Sequence, residues 1–240
     1  MTDFLDRMNQ AAAAIGLALD PHQLEAFNKY QKKLAAANKT ANLTALPEDK
    51  YIEGHFIDSL TLCLTGKLKE GQKVADIGTG AGFPGVPVKI VRPRIELHLI
   101  EANKKKADFL ERLAVELGLK GVFVHRLRAE EAGRQPQLRG QMDVVMARAV
   151  ASLPVLLEYA LPLCRVGGWF LAMKGPKLSE ETEASVRAAL KLGGRIDSTI
   201  APFEPTGEAK KVIVLVQKVE ETGGRYPRRA GVPVKRPLGG

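Results

Sequence analysis

Residues Val74 to Gly85 read Val-Ala-Asp-Ile-Gly-Thr-Gly-Ala-Gly-Phe-Pro-Gly. Gly78, Gly80 and Gly82 alternate directly after a short apolar run that carries an acid, Asp76. Glycines lack a Cβ and let a backbone turn come close to a ligand. A strand, such a turn and a helix N-terminus open the nucleotide-binding α/β domains. Two ligands compete for it. A dinucleotide asks for G-x-G-x-x-G. Counted from Gly78 that pattern fails at Phe83; counted from Gly80 it fits, with Gly82 and Gly85. The second register starts late after the strand and puts Pro84, which has no N–H, where a pyrophosphate would be held. S-adenosylmethionine carries no pyrophosphate and loses less to that proline, and Asp76 suits the cationic end of its methionine. Glu101 ends the next apolar run, Ile95 to Ile100, where an acid accepts from ribose hydroxyls in either ligand. Cofactor contact is the favoured reading for Glu101; the alternative is that it caps the helix that starts near Asn103.

Other groups carry less. His55 and Asp58 stand three apart and share a helix face. Such a pair can do acid–base chemistry, but a structural link between the first helices and the rest of the chain is the favoured reading. His22, His98 and His125 show no partner spacing, and His98 reads as a packed or surface histidine. Lys104-Lys105-Lys106 opens a helix, where cations oppose the dipole; the run suits RNA phosphates or plain solvation. Cys63 and Cys164 are isolated, which speaks against a disulfide framework or a zinc site, and no metal is expected. The start, Met1-Thr2-Asp3-Phe4, is not a signal sequence, and no apolar run reaches the ~18 residues of a membrane helix. A cytoplasmic protein with no membrane partner is expected.

These groups need elements to hold them. The chain has 240 residues, 45% hydrophobic but only 5% aromatic, so an aliphatic core is expected. A net charge of +9 suits an acidic partner such as nucleic acid, or a solvated basic surface. Residues 1–66 have helical spacing (Phe4, Leu5, Met8, Ala12, Ile15) and a helix start at Asp20-Pro21-His22-Gln23. That helix is expected to reach about Ala37, and another to begin at Pro47-Glu48. They read as a helical cap. From Gln72 strands are expected at 73–77, 95–100, 122–126, 142–146 and 167–173, with helices near 85–91, 104–117, 152–163 and 179–191. Runs 195–200 and 210–217 suggest a closing hairpin. This is an α/β, doubly wound, seven-stranded and mostly parallel sheet with its last strand antiparallel. The stretch 67–219 forms the ligand-binding domain. The tail, 220–240, is rich in proline, glycine and arginine, so it is expected to be extended. Tyr226 interleaved with its cations suggests a surface for single-stranded RNA.

Asn42-Leu43-Thr44, His55 with Asp58-Ser59-Leu60, Asp76 through Gly85, Glu101-Ala102 with Lys105-Lys106, Ala147-Arg148-Ala149 and Tyr226 through Pro233 together resemble the RsmG (glucose-inhibited division protein B) family. The resemblance spans about residues 20 to 238. It implies a Rossmann-like class I methyltransferase that moves a methyl group from S-adenosylmethionine to N7 of one guanosine in the 530 loop of 16S RNA, guanosine 527 in the usual rRNA numbering. The partner is 16S rRNA or the small ribosomal subunit, and a monomer is expected. Cofactor contacts carried over are Asp76, Gly78, Gly80, Gly82, Phe83, Glu101, Ala102, Asn103, Ala129, Glu130 and Arg148. Asn103 stands where threonine or serine is expected in relatives. RNA contacts are Lys104, Lys105, Arg225, Arg228, Arg229, Lys235 and Arg236.

The residues agree with that target. Cytosine C5 needs a cysteine nucleophile, and Cys164 follows Leu163 rather than the proline of the usual motif. Exocyclic amines go with an Asn-Pro-Pro-aromatic turn, where this chain has Ala147-Arg148-Ala149-Val150. Guanine N7 has a free lone pair and needs alignment, not a base. Arg148 is assigned to positioning, on a phosphate, a guanine O6 edge or the cofactor carboxylate; the alternative is an ion pair with Asp143 or Glu101. Two other functions stay open: an NAD-dependent oxidoreductase, through the Gly80 register, and a non-catalytic RNA-binding or ribosome-assembly protein.

Overall fold

The computed structural model describes residues 4–148, 151–175, 182–201 and 211–240. Seven strands lie in the order β3-β2-β1-β4-β5-β7-β6. They are β1 (Lys73–Ile77), β2 (Glu96–Ile100), β3 (Val122–His125), β4 (Met142–Arg148), β5 (Cys164–Lys174), β6 (Gly194–Ile200) and β7 (Val212–Lys218). The pairs among β1 to β5 are parallel. β7 enters antiparallel between β5 and β6. The last strand is therefore reversed, as expected, and it pairs with β6 as the hairpin requires. Strand order turns back between β1 and β4, the place where open α/β sheets bind ligands.

Both faces of the sheet are covered. Along β1, Val74 joins one apolar cluster while Ala75 and Ile77 join the other, following the twofold alternation of a strand. The first face is covered by α1 (Phe4–Ala14), α2 (Pro21–Ala41), α4 (Gly85–Val91) and α5 (Lys104–Glu116). The second is covered by α6 (Ala129–Ala132), α7 (Leu153–Ala160), α8 (Thr182–Lys191) and the C-terminal tail. The helix at Asp20 starts as expected. Asp20 Oδ1 accepts from Gln23 N at 2.8 Å and Gln23 Oε1 accepts from Asp20 N at 3.0 Å. It runs past Ala37 to Ala41, ended by Asn42 in the left-handed region.

Two expectations need correction. The segment after Pro47 is not one α-helix. It is a 3-10 turn (Glu48–Lys50), a π-helix (Ile52–Ile57), one α turn, α3 (Asp58–Leu60), and a second 3-10 stretch (Thr61–Thr65). Side-chain spacing alone does not reveal such a change of pitch. The tail is not simply extended. It contains the short helix α9 (Val232–Lys235), and it buries Tyr226, Pro233 and Leu238 against the second face.

Candidate active site

The glycine turn follows β1, and its three alternating glycines do different work. All three have positive φ, at 64°, 60° and 107° for Gly78, Gly80 and Gly82. Above Gly80 there is open space: an added Cβ would meet only Gly78 O, at 4.0 Å. At Gly82 a Cβ would stand 2.6 Å from Tyr30 Oη and 2.8 Å from Val86. Gly82 therefore admits the cap, not a ligand. Gly85 likewise leaves room for Asp76 Oδ2, 2.8 Å from where its Cβ would be.

Most amides of the turn are already bonded within the protein. Gly78 N donates to Ile100 O at 2.9 Å, and Gly82 N and Phe83 N donate to Thr79 O at 2.9 and 2.8 Å. Val86 N donates to Gly82 O at 2.8 Å, and Gly85 N to Asp76 Oδ2 at 2.7 Å. Pro84 and Pro87 have no N–H. The start of α4 thus offers little to a pyrophosphate, which relies on such groups.

Asp76 is wholly enclosed beneath the turn, accepting from Thr79 Oγ1 and Gly85 N at 2.7 Å each. Its Oδ1 has no hydrogen-bond partner among the described residues. Burial pushes its carboxyl up to about 7, against the lowering pull of the Thr79 and Gly85 hydrogen bonds. Enclosure keeps it from the direct ligand contact expected of it; it holds the turn. Glu101, at the tip of β2, accepts from Gly80 N at 3.0 Å and Asn103 N at 2.8 Å. A carboxylate has about four acceptor sites, so two remain for a ribose diol. The capping expectation falls to Asn103, whose Oδ1 accepts from Lys106 N at 3.3 Å. Ala102 and Asn103 lie exposed beside Glu101.

Phe83, expected at the cofactor, faces the cap instead. Its ring is stacked between Tyr30, at 5.2 Å, and His55, at 4.2 Å, with Phe56 at 5.9 Å. Tyr30 Oη also donates to Ala81 O at 2.6 Å. Glu130 turns its carboxylate inward, accepting from Tyr159 Oη at 3.2 Å and Gly231 N at 2.9 Å. Only Ala129 and the backbone of the pair are left to border an adenine.

Arg148, at the end of β4, pairs with neither Asp143 nor Glu101. Asp143 is taken by Arg165 at 2.7 Å and Lys73 N at 2.7 Å. Arg148 instead donates to Asp58 Oδ2 at 2.8 Å, Gly54 O at 3.1 Å and His55 Nδ1 at 3.1 Å. Because Nδ1 accepts from the guanidinium, His55 Nε2 carries the proton and donates to Thr44 Oγ1 at 2.8 Å. Burial and the Arg148 charge lower the His55 pKa to about 4. The imidazole is neutral and engaged at both nitrogens, so it is a cap-to-core link. Beside Arg148 lies a cavity of about 390 Å³, lined by Asp58, Met173, Lys174, Lys211 and Val212 among others. Lys211 Nζ lies 3.1 Å from Asp58 Oδ1.

The expected RNA contacts divide. Lys105, Arg225, Arg229, Lys235 and Arg236 are exposed. Lys104 is exposed but paired with Asp108 at 2.6 Å. Arg228 is withdrawn: it makes bonds of 2.6 to 3.1 Å to Glu158, a fully buried carboxylate that needs a cation. That pairing holds Arg228 above its usual pKa range. Tyr226 is buried at 5% exposure and is no stacking platform. His98 and His125 do have partners. His98 Nδ1 and His125 Nε2 lie 2.9 Å apart across β2 and β3, and His98 Nε2 lies 3.0 Å from Glu96. Only strand register brings these residues together. Tyr30 and Lys211, which build the site, give no sequence signal apart from Tyr30's place on an apolar helix stripe. Ala149 and Val150 lie outside the described residues.

Comparison with known proteins finds the following relatives. A family profile described as rRNA small subunit methyltransferase G matches residues 23–204. A protein of Exiguobacterium sibiricum named ribosomal RNA small subunit methyltransferase G is 45% identical over 95% of this chain and 97% of its own. One of the same name from Roseiflexus castenholzii is 43% identical over 98% of this chain and all of its own. Among solved structures, a SAM dependent methyltransferase from Aquifex aeolicus superposes with a TM-score of 0.55 at 20% identity. It covers 77% of this chain and 98% of that one. A geranyl diphosphate methyltransferase in complex with SAM gives 0.53 at 16% identity, over 68% of this chain and 84% of that one. These last two likenesses show the fold alone.

Proposed function

The chain belongs to the rRNA small subunit methyltransferase G family, and from that premise we propose that it moves the methyl group of S-adenosylmethionine to N7 of a guanosine in the 530 loop of 16S RNA. The observation that carries the reading is the turn itself. Its amides at Gly78, Gly80, Gly82, Phe83 and Gly85 are bonded internally, its surface at Gly80 is open, and Glu101 beside it keeps two acceptor sites. That combination suits a nucleoside without a pyrophosphate and disfavours the dinucleotide alternative.

S-adenosylmethionine supplies an electrophilic methyl group on a sulfonium. Glu101 would hold its ribose hydroxyls, with Ala102 and Asn103 alongside and Ala129 with the Glu130 backbone bordering the adenine. Asp76 and Gly82 act indirectly, by fixing the turn, while the exposed Gly78 meets the cofactor. No group is required to remove a proton, since N7 has none. The absence of a free imidazole at Arg148 fits that chemistry, because His55 is bonded at both nitrogens. Catalysis then rests on alignment, which can supply several kcal/mol, roughly 7–11 at best. In this reading the enzyme works as a cytosolic monomer on 16S RNA or the small ribosomal subunit, and its exposed cations Lys105, Arg225, Arg229, Lys235 and Arg236 meet phosphates.

Incubating small subunits and naked 16S RNA with radiolabelled donor, followed by mass-spectrometric mapping, tests the reading. The expected result is one 7-methylguanosine in the 530 loop. Incorporation on neither substrate would leave the non-catalytic binder as the better account. Calorimetry with S-adenosylmethionine and NAD side by side is expected to give binding of the first alone.

A further inference from the structure

The link between β3 and β4 carries a helix of only four residues, α6 (Ala129–Ala132). One helical turn has no stability of its own, because forming the first turn is unfavourable. Ala132 buries only a methyl group in the second apolar cluster. What else grips α6 therefore decides where it lies, and the C-terminal tail grips it at both ends. At the start, Gly231 N donates to Glu130 Oε1 at 2.9 Å, and Tyr159 Oη donates to the same oxygen at 3.2 Å. Burial and the Glu130 carboxylate hold the Tyr159 hydroxyl well above its ordinary pKa, so it stays a donor. At the far end Gly133 closes the helix against Pro227: a Cβ on Gly133 would stand 2.8 Å from Pro227 Cγ. Arg139 ties the same corner, donating to Gly133 O at 2.8 Å, Tyr226 O at 2.7 Å and Thr222 O at 2.6 Å. The tail is itself fixed to α7, through Arg228 on the buried Glu158.

We propose that the tail segment 226–231 positions the adenine of the methyl donor, acting through α6, a proposal that rests on the S-adenosylmethionine reading above. Glu101 keeps its two free acceptor sites at the tip of β2, and Glu101 N donates to His125 O at 3.1 Å, so β2 and β3 end side by side. The base of a nucleoside lies one bond from its ribose. A ribose on Glu101 therefore puts the adenine beside the stretch that follows β3, where α6 begins. Glu130 then serves two sides at once. Its backbone borders the adenine, while its carboxylate faces Gly231 and Tyr159. A displaced α6 loses the first contact, and only the second keeps it in place. Arg228 and Gly231 act as positioning residues, through Glu158 and Glu130, rather than by touching the donor. The coupling is reciprocal. Whatever steadies α6 for the adenine also steadies the tail, so an occupied site makes the Gly231 N–H harder to open.

The test uses the full-length protein and S-adenosylmethionine, with affinity read by calorimetry and tail opening by amide hydrogen exchange. Glu130→Ala, which cuts the link to Gly231, is expected to bind the donor about 5- to 50-fold more weakly. Glu130→Gln keeps an acceptor oxygen for Gly231 N and Tyr159 Oη, and is expected to bind as the wild type does. Gly133→Ala works from the other end. Its backbone is in the ordinary helical region, but its Cβ presses on Pro227, and the same weakening is expected. In the wild type, saturating donor is expected to slow exchange across 226–232 more than across α8 on the same face. In Glu130→Ala, also at saturation, that extra protection is expected to vanish. If Glu130→Ala does not fold by circular dichroism, Gly133→Ala carries both measurements. Unchanged donor affinity in either folded variant would overturn the proposal, as would Glu130→Gln behaving like Glu130→Ala, or tail exchange that merely follows α8. Each of those results leaves the S-adenosylmethionine reading standing, since the wild type still binds. A wild type that binds none refutes that reading itself and takes the proposal with it.

Discussion

The two ends of this chain cover opposite faces of one sheet, and they are held by different physics. At the N-terminal end Phe27, Tyr30 and Phe56 meet Phe83 of the core in a nest of rings 5.2 to 5.9 Å apart. At the C-terminal end two buried carboxylates, Glu158 and Glu130, seize Arg228 and the N–H of Gly231. A ring cluster loses stability by cavity formation and is indifferent to salt. A buried carboxylate loses it by being left with an uncompensated charge or none at all. The contrast teaches that a basic tail is not thereby an RNA-binding tail: part of its charge serves the protein's own interior.

The largest effects should come from breaking each side. Glu158→Ala, which strands Arg228, is expected to cost about 3–5 kcal/mol in denaturant unfolding. The pair Glu158→Leu with Arg228→Met should recover most of that loss. Phe56→Ala is expected to cost a similar ~3–5 kcal/mol, with no comparable rescue by a charge change. A loss below about 1 kcal/mol for Glu158→Ala would mean that the tail is held by other contacts.

Next comes pH. The folded-state pKa of His55 is lowered from 6.5 to about 4, so its neutral form contributes stability above about pH 6.5 that is lost as pH falls towards 4. The contribution is at most ~3 kcal/mol. Unfolding curves of wild type and His55→Gln should therefore converge over that window. Parallel curves would separate the imidazole from cap docking.

Gly82→Ala tests the seam more gently. Its Cβ would press on Tyr30 Oη and Val86, at a cost of about 1–3 kcal/mol, and Tyr30→Phe should relieve part of it. Equal costs in both backgrounds would place the strain in the backbone instead. The smallest effect concerns the tail's exposed cations. Arg225→Ser with Arg229→Ser should leave stability unchanged and reduce the salt slope of RNA binding by about 1 for each phosphate no longer neutralised. Filter binding at several salt concentrations measures it, and an unchanged slope would remove Arg225 and Arg229 from the RNA contacts.

Much of the fold is readable because its signals are local. The Asp20–Gln23 cap, the strand before Gly78 and helix α4 at 85–91 each depend on neighbours in sequence. What escapes depends on register or on distant partners. Glu158 gives no sign that it will be fully buried, and Arg228 none that it will turn inward. His98 and His125 meet only because β2 and β3 align as they do. In the site, Glu101 and Arg148 are marked by their place at strand ends. The cap residues that hold Phe83 are not, since an aromatic on a helix stripe looks the same whether it meets the core or a catalytic turn.

A strand inserted in reverse presents its beginning, rather than its end, to the working rim. Because β7 runs against its neighbours, Lys211 and Val212 arrive beside Arg148 from the opposite direction of travel. A substitution at Lys211, just ahead of that strand, changes the charge at this rim while the ladder from Val212 onward stays as it is.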